Sequence, residues 1–228
     1  MPARSPSFTN STLFSSLVGR RGLLLWIREY LGKTGIEGFY IEFGVFNGES
    51  MKETFYALRD QVSKYIGLDS FCGLPALDNK TDKQAVQLAP AFIKGNFFSK
   101  GYDFVKTNLL STGISEKDIF LVKGFFKNSL TPKLSSQISG MGTGKAAVIH
   151  LDVDLYSSTS QALEFSYPFM QSGGWLLCDD YWCYGGKSSC GTHKALEDFL
   201  KKHADIRLHE YCSYGGWSKA FIIEKMED

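Results

Sequence analysis

From Gly38 onward, short apolar runs alternate with helical stretches, and this alternation leaves the chain few folds to choose from. Residues 39–43, 64–69, 118–122, 146–151 and 175–178 read as strands. Between them lie helical patterns at 49–58, 157–170 and 192–203, and a loop-and-helix region that runs to about residue 112. Parallel strands need a crossover, so such an order predicts βαβ units. The ending differs, because residues 206–212 and 217–224 flank the turn signal Tyr214-Gly215-Gly216. A hairpin there makes the last strand antiparallel to its neighbours. The expected fold class is α/β: an open, mostly parallel seven-stranded sheet with an antiparallel last strand and helices on both faces. An amphipathic helix at about residues 12–32 is expected in an N-terminal segment (1–36), set apart as a lid from the sheet-forming remainder (37–228).

A chain of 228 residues suits one large domain with a substantial core. The formal net charge of +1, without a basic run interleaved with aromatics, argues against nucleic acid as a partner. No apolar run reaches the roughly 20 residues of a membrane span. The run Leu23-Leu24-Leu25-Trp26-Ile27 is followed by Arg28 and Glu29, unlike a signal peptide. Five scattered cysteines without a C-x-x-C pair read as thiols in a reducing cytoplasm.

Two strand patterns end in acids: His150-Leu151-Asp152-Val153-Asp154 and Leu177-Cys178-Asp179-Asp180. In parallel α/β sheets the carboxyl ends of strands face the ligand crevice. Three carboxylates gathered there repel one another unless something positive lies among them, and a hard divalent cation is the simplest answer. Asp154 either caps the helix starting near Ser157 or acts as a general base. His150 reads as a core histidine on the opposite face. His193 is a candidate base or binding residue. Tyr181, Trp182 and Tyr184 are pocket walls or packing, and Arg20 and Arg21 belong to a lid helix or a solvated face.

The loop Glu42-Phe43-Gly44-Val45-Phe46-Asn47-Gly48 follows the first strand with the spacing E-x-G-x-x-x-G, and the second strand ends in Asp69. Glycines let a backbone approach a ligand closely, and an acid after the second strand accepts from ribose hydroxyls. Glu42 at the first strand's end would repel a pyrophosphate but suits an ammonium. Together these residues favour S-adenosyl-L-methionine over a nicotinamide dinucleotide.

The chain resembles the macrocin O-methyltransferase family of class I methyltransferases. The resemblance is carried by residues 42–48, Leu68-Asp69-Ser70-Phe71-Cys72-Gly73-Leu74-Pro75, Lys123-Gly124-Phe125-Phe126, residues 151–159, and Gly173-Gly174-Trp175 through Asp179-Asp180-Tyr181. It implies a Rossmann-like fold and methyl transfer from S-adenosyl-L-methionine to a hydroxyl of a small polyhydroxylated acceptor, such as a sugar of a natural product, with Mg2+ at the acceptor site. Implied for the cofactor are Glu42, Gly44, Phe46, Asn47, Gly48, Ser50, Asp69, Ser70, Gly124, Phe125 and Asp152. Implied for the metal are Asp152, Asp179 and Asp180, and for catalysis Asp152, Asp154 and His193. A catechol-type acceptor, a non-catalytic S-adenosylmethionine-binding protein and a metal-dependent hydrolase are the other readings, and a homo-oligomer is compatible with all of them. Residues 182–191 depart from the family pattern, so the acceptor is the feature left open.

Overall fold

The computed structural model describes residues 19–226. Strands β1 (Gly38–Phe43), β2 (Val62–Asp69), β3 (Ile119–Lys123), β4 (Ala146–Leu151), β5 (Trp175–Cys178), β6 (Ile206–Tyr214) and β7 (Ser218–Lys225) form one sheet in the order β3-β2-β1-β4-β5-β7-β6. Strands β1 to β5 pair in parallel, and β7 runs antiparallel to both β5 and β6. The mixed sheet expected from the alternation and the terminal hairpin is therefore observed. Every residue of β1, β4 and β5 is buried, which explains why these segments are apolar runs without polar alternation.

Helices cover both faces. Phe39, Ile41 and Phe43 of β1 share one core with Leu134 and Ile138 of α6 (Pro132–Ser139), Leu163 of α7 (Tyr156–Ser166) and Phe199 of α8 (Gly191–Lys202). On the other face, Tyr40 and Trp175 meet α1 (Arg20–Thr34), α2 (Glu49–Leu58) and α4 (Tyr102–Ser111). Helix α1 presents Leu23, Leu24, Ile27 and Leu31 as one buried stripe, the spacing of an amphipathic helix. It supplies the helix expected ahead of β1, while residues 12–18 of that expectation lie outside the described residues. None of the helices among the described residues is long and apolar enough to cross a membrane.

Three short helices complete the crossovers: α3 (Lys80–Ala85), α5 (Phe126–Ser129) and α6. Neither α5 nor α6 was signalled by the apolar pattern, since α6 buries only Leu134 and Ile138. Its real signature is local: the Thr131 hydroxyl accepts from Leu134 N at 3.2 Å, and Pro132 opens the first turn. The helix expected over 157–170 ends at Ser166 and tightens into a 3-10 turn, Tyr167–Phe169, at Pro168.

The order reverses between β1 and β4, and there the parallel ladders continue one residue past the strands. Asp152 N donates to Phe43 O at 3.0 Å, Asp179 N to Leu151 O at 2.9 Å, and Gly124 N to Asp69 O at 2.8 Å. All the loops that follow these strands therefore leave from one edge, at the switch point where open α/β sheets bind ligands.

Candidate functional site

The loop after β1 is shaped by contact with the end of β4. Gly44 has φ +86°, and a Cβ at this position would stand 1.8 Å from the Asp152 carbonyl oxygen. Only glycine lets the two segments touch. Just before it, Glu42 is fully buried; its Oε1 accepts a short hydrogen bond from the Ser50 hydroxyl, and its Oε2 has no partner. Phe46 N donates to Asp69 Oδ2 at 2.8 Å and Phe71 N to Asp69 Oδ1 at 2.5 Å. Burial pushes the Asp69 carboxyl up, against the pull of those amides. Asn47 Oδ1 accepts from Lys100 N at 3.0 Å, tying this loop to the segment before α4, and Gly48 caps α2. Ser70 donates to Gly73 O at 2.8 Å.

Four non-glycine residues among those described have left-handed backbones: Phe46, Phe71, Phe97 and Asp154, with φ between 50° and 59°. Three of them line a cleft of about 640 Å³, and the fourth donates to Asp69. Backbone strain is thus concentrated around one space, as at many functional sites.

That cleft runs from Phe46, Asp69, Ser70 and Phe125 to Asp152, Asp154 and Asp180, joining the two halves read from the sequence. Phe125 and Phe126 both line it, although Phe126 also packs edge-on against Phe43. Leu74 and Pro75, at the end of the motif after β2, line it together with Phe92 and Phe97, which no motif signalled. Glu42, Asn47, Gly48, Ser50, Gly124 and Asp179 are not among its lining residues. His193 is elsewhere: it stacks on Tyr181 with ring centroids 4.6 Å apart and lies 3.4 Å from Glu197. Tyr184 reaches the site through a hydrogen bond to Asp154 O at 2.9 Å.

Asp179 and Asp180 lie in the turn that follows β5, and their side chains take different partners. Asp180 Oδ2 accepts from Asp154 N at 3.0 Å, and its Oδ1 faces the Cys183 thiol at 3.4 Å. Asp179 instead turns towards Asp152. Its Oδ1 accepts a short hydrogen bond from Tyr214 and lies 3.0 Å from His150 Nε2, while its Oδ2 takes Arg20 Nη1 at 2.8 Å. Arg20 Nη1 is also 3.9 Å from Asp152 Oδ2, and Arg20 Nε bonds Glu53 at 3.1 Å. His150 is buried as expected of a core histidine, but on the same face as Asp152 and Asp179. Two residues along a strand restore the direction of the side chain, and the opposite-face expectation overlooked this.

The charges explain the titration. Burial opposes ionisation of Asp179, but His150 and Arg20 outweigh it and hold the carboxyl down at about 2. Burial likewise opposes the His150 imidazolium, and the Asp179 and Glu42 carboxylates outweigh it, lifting the group to about 10. Asp154 and Asp180 lack such cations, so burial raises them to about 7 and about 8. Asp152 is raised by burial and then by the neighbouring Asp179 and Asp180.

Two fits follow. The unpartnered buried oxygen of Glu42 and the close approach at Gly44 suit a ligand that brings a cationic donor to the end of β1. Ligand atoms of His150, Asp152 and Asp179 lie within 4.8 Å of one another, and the two carboxylates are hard donors suited to a divalent cation. Asp180 is not part of that cluster, and its Oδ2 accepts from the Asp154 amide.

The switch-point cleft and the mixed seven-stranded sheet define a Rossmann-like protein of the methyltransferase type. The chain is similar in fold to the O-methyltransferase NovP (20% identity, TM-score 0.66, covering 91% of this chain and 80% of that one). It is equally similar to the calicheamicin methyltransferase CalS11 (18% identity, TM-score 0.67, covering 96% and 87%). The family model described as Macrocin-O-methyltransferase (TylF) matches residues 12–208, and the chain belongs to that family. A curated relative from Streptomyces olivaceus is 32% identical over 151 residues, which are 64% of this chain. Its name is 8-demethyl-8-(2,3-dimethoxy-alpha-L-rhamnosyl)-tetracenomycin-C 4'-O-methyltransferase, and the match spans only 54% of its length.

Proposed function

We infer that this chain transfers a methyl group from S-adenosyl-L-methionine to a sugar hydroxyl of a glycosylated natural product, with Mg2+ at the acceptor side of the cleft. The observation that carries this reading is the contact of Gly44 with Asp152, which makes the glycine loop and the acidic strand end parts of one site. The sugar acceptor is supported by the S. olivaceus relative, whose name specifies methylation of a rhamnosyl group.

When bound, S-adenosylmethionine supplies an electrophilic methyl group and a divalent cation supplies Lewis acidity toward the acceptor hydroxyl. The chain's own residues do the rest. Glu42 Oε2 would accept from the cofactor's ammonium, and Asp69, fixed by two backbone amides, would accept from ribose hydroxyls. Phe125 and Phe126, which both line the cleft, would flank the adenine. Asp152, Asp179 and Asp180 would hold the metal. Asp154 takes the acceptor's proton on its carboxylate, which burial keeps in the range of neutral pH, at about 7. His193, stacked on Tyr181, has no part in this reading.

Turnover of glycosylated polyketides and of catechols, each in Mg2+ and in chelator, tests the proposal. Methylation of the glycosides in Mg2+ alone is expected. Equal rates in chelator would remove the metal, and methylation of catechols with no glycoside turnover would contradict the sugar acceptor. Asp179→Asn or Asp180→Asn should abolish turnover while leaving cofactor affinity within a few-fold.

A further inference from the structure

Arg20 reaches the acids from α1, across 159 positions of sequence, and is a little over a quarter exposed. Its guanidinium is forked: Nη1 takes Asp179 Oδ2 at 2.8 Å and Nε takes Glu53 Oε2 at 3.1 Å. Glu53 Oε1 is bound in turn by Arg21 at 2.8 Å, so Glu53 receives both arginines. The other oxygen of Asp179 is engaged by Tyr214 and His150. Arg20 therefore holds the one Asp179 oxygen not taken by the buried side of the site, and Nη1 points towards Asp152 Oδ2, 3.9 Å away.

The geometry points to Arg20 as a displaceable counter-cation, which neutralises the Asp152–Asp179 pair in the metal-free protein and gives up Asp179 when a divalent cation binds. This rests on the metal reading above. A Mg2+ ion binds carboxylate oxygen at about 2.0–2.1 Å. Bound to Asp179 Oδ2 and shared with Asp152, it would meet the guanidinium at the position of Nη1, so two cations would compete for one oxygen. The Nε–Glu53 contact offers a pivot: Nη1 can swing away while the side chain stays tethered. Leu23, Leu24, Ile27 and Leu31 hold the body of α1 in place throughout. Thus the mutual repulsion of the strand-end acids is relieved in two ways, by an internal cation or by a bound one.

Calorimetric titration of the metal-stripped full chain with MgCl2 tests this, with Mn2+ and its electron paramagnetic resonance signal as a second probe. Arg20→Gln should bind Mg2+ about ten- to a hundredfold more tightly than the wild type, the factor that a lost hydrogen bond between charged groups represents. Without metal, the same variant should melt at a lower temperature, and Mg2+ should raise its Tm by more than it raises that of the wild type. Arg20→Lys, which keeps the charge but loses the fork, should fall between the two and serves if the glutamine variant does not fold. Arg21→Gln, which touches only Glu53, should leave Mg2+ affinity unchanged. Wild-type Mg2+ binding that is unchanged or weakened in Arg20→Gln and Arg20→Lys would overturn the inference alone. No Mg2+ or Mn2+ binding by any form would overturn it together with the metal reading.

Discussion

Glu42 has one oxygen bonded to Ser50 and the other buried without a donor. A buried carboxylate oxygen left unpaired is costly, and this is the ground for assigning it to the cofactor's ammonium in the proposed function. Glu42→Gln keeps the shape and removes the charge. It should weaken S-adenosylmethionine binding by about ten- to a hundredfold, the usual range for a hydrogen bond to a charged group. A calorimetric Kd within twofold of wild type would show that Glu42 does not meet the cofactor's ammonium. Neighbouring residues at one strand end divide the remaining work. Asp179 is ion-paired and held low by His150 and Arg20, whereas Asp180, one residue on, accepts from a backbone amide and is raised by burial to about 8.

At the scale of elements, α1 is both a structural helix and the carrier of a site residue. Ile27 is fully buried in the core that α1 shares with Tyr40 and Trp175. Truncation of such a side chain usually costs about 2–5 kcal/mol, so Ile27→Ala should lower stability by that amount in denaturant unfolding. A loss under about 0.5 kcal/mol, typical of surface positions, would mean that α1 is not docked on the sheet. The elements differ in how legible they were. Strands β1, β4 and β5 stand out because both of their faces are buried, so they read as mainly apolar runs, interrupted only by Glu42 in β1 and His150 in β4. Helices α5 and α6 do not, since 4 and 8 residues give too few turns for a period, and only the Thr131-Pro132 cap marks α6.

The whole molecule shows why the site was legible only in outline. The glycine loop, Asp69 and the acidic strand ends follow from local pattern and from the rule that parallel strands deliver their carboxyl ends to one crevice. The pairing of Arg20 with Asp179 follows from how α1 docks, which no local pattern records. The placing of His150 beside the acids is within reach of strand alternation, whereas the parting of Asp180 from Asp179 is not, because both lie in the turn after β5. His193 could not be placed from sequence, because its direction depends on where α8 meets Tyr181.

Taken together, the acids make the metal-free protein pH-sensitive. Asp154 and Asp180 have folded values raised to about 7 and about 8, above the ordinary value of about 4, so the folded state holds more protons than the unfolded state across that window. Stability without metal is therefore expected to fall as pH rises from about 4 towards about 8. Thermal melts across that range should show the decline, and added Mg2+ should flatten it. A metal-free Tm that rises through the same window would contradict the assigned environment of these carboxyls.

In the proposed function the glycine loop and the acidic strand ends form one cofactor and acceptor site. Isothermal titration of the full chain with S-adenosyl-L-methionine tests it most directly. Saturable binding with a stoichiometry of about one per chain is expected, weakened in Glu42→Gln and retained in Asp179→Asn. Absence of binding at millimolar S-adenosylmethionine would contradict it.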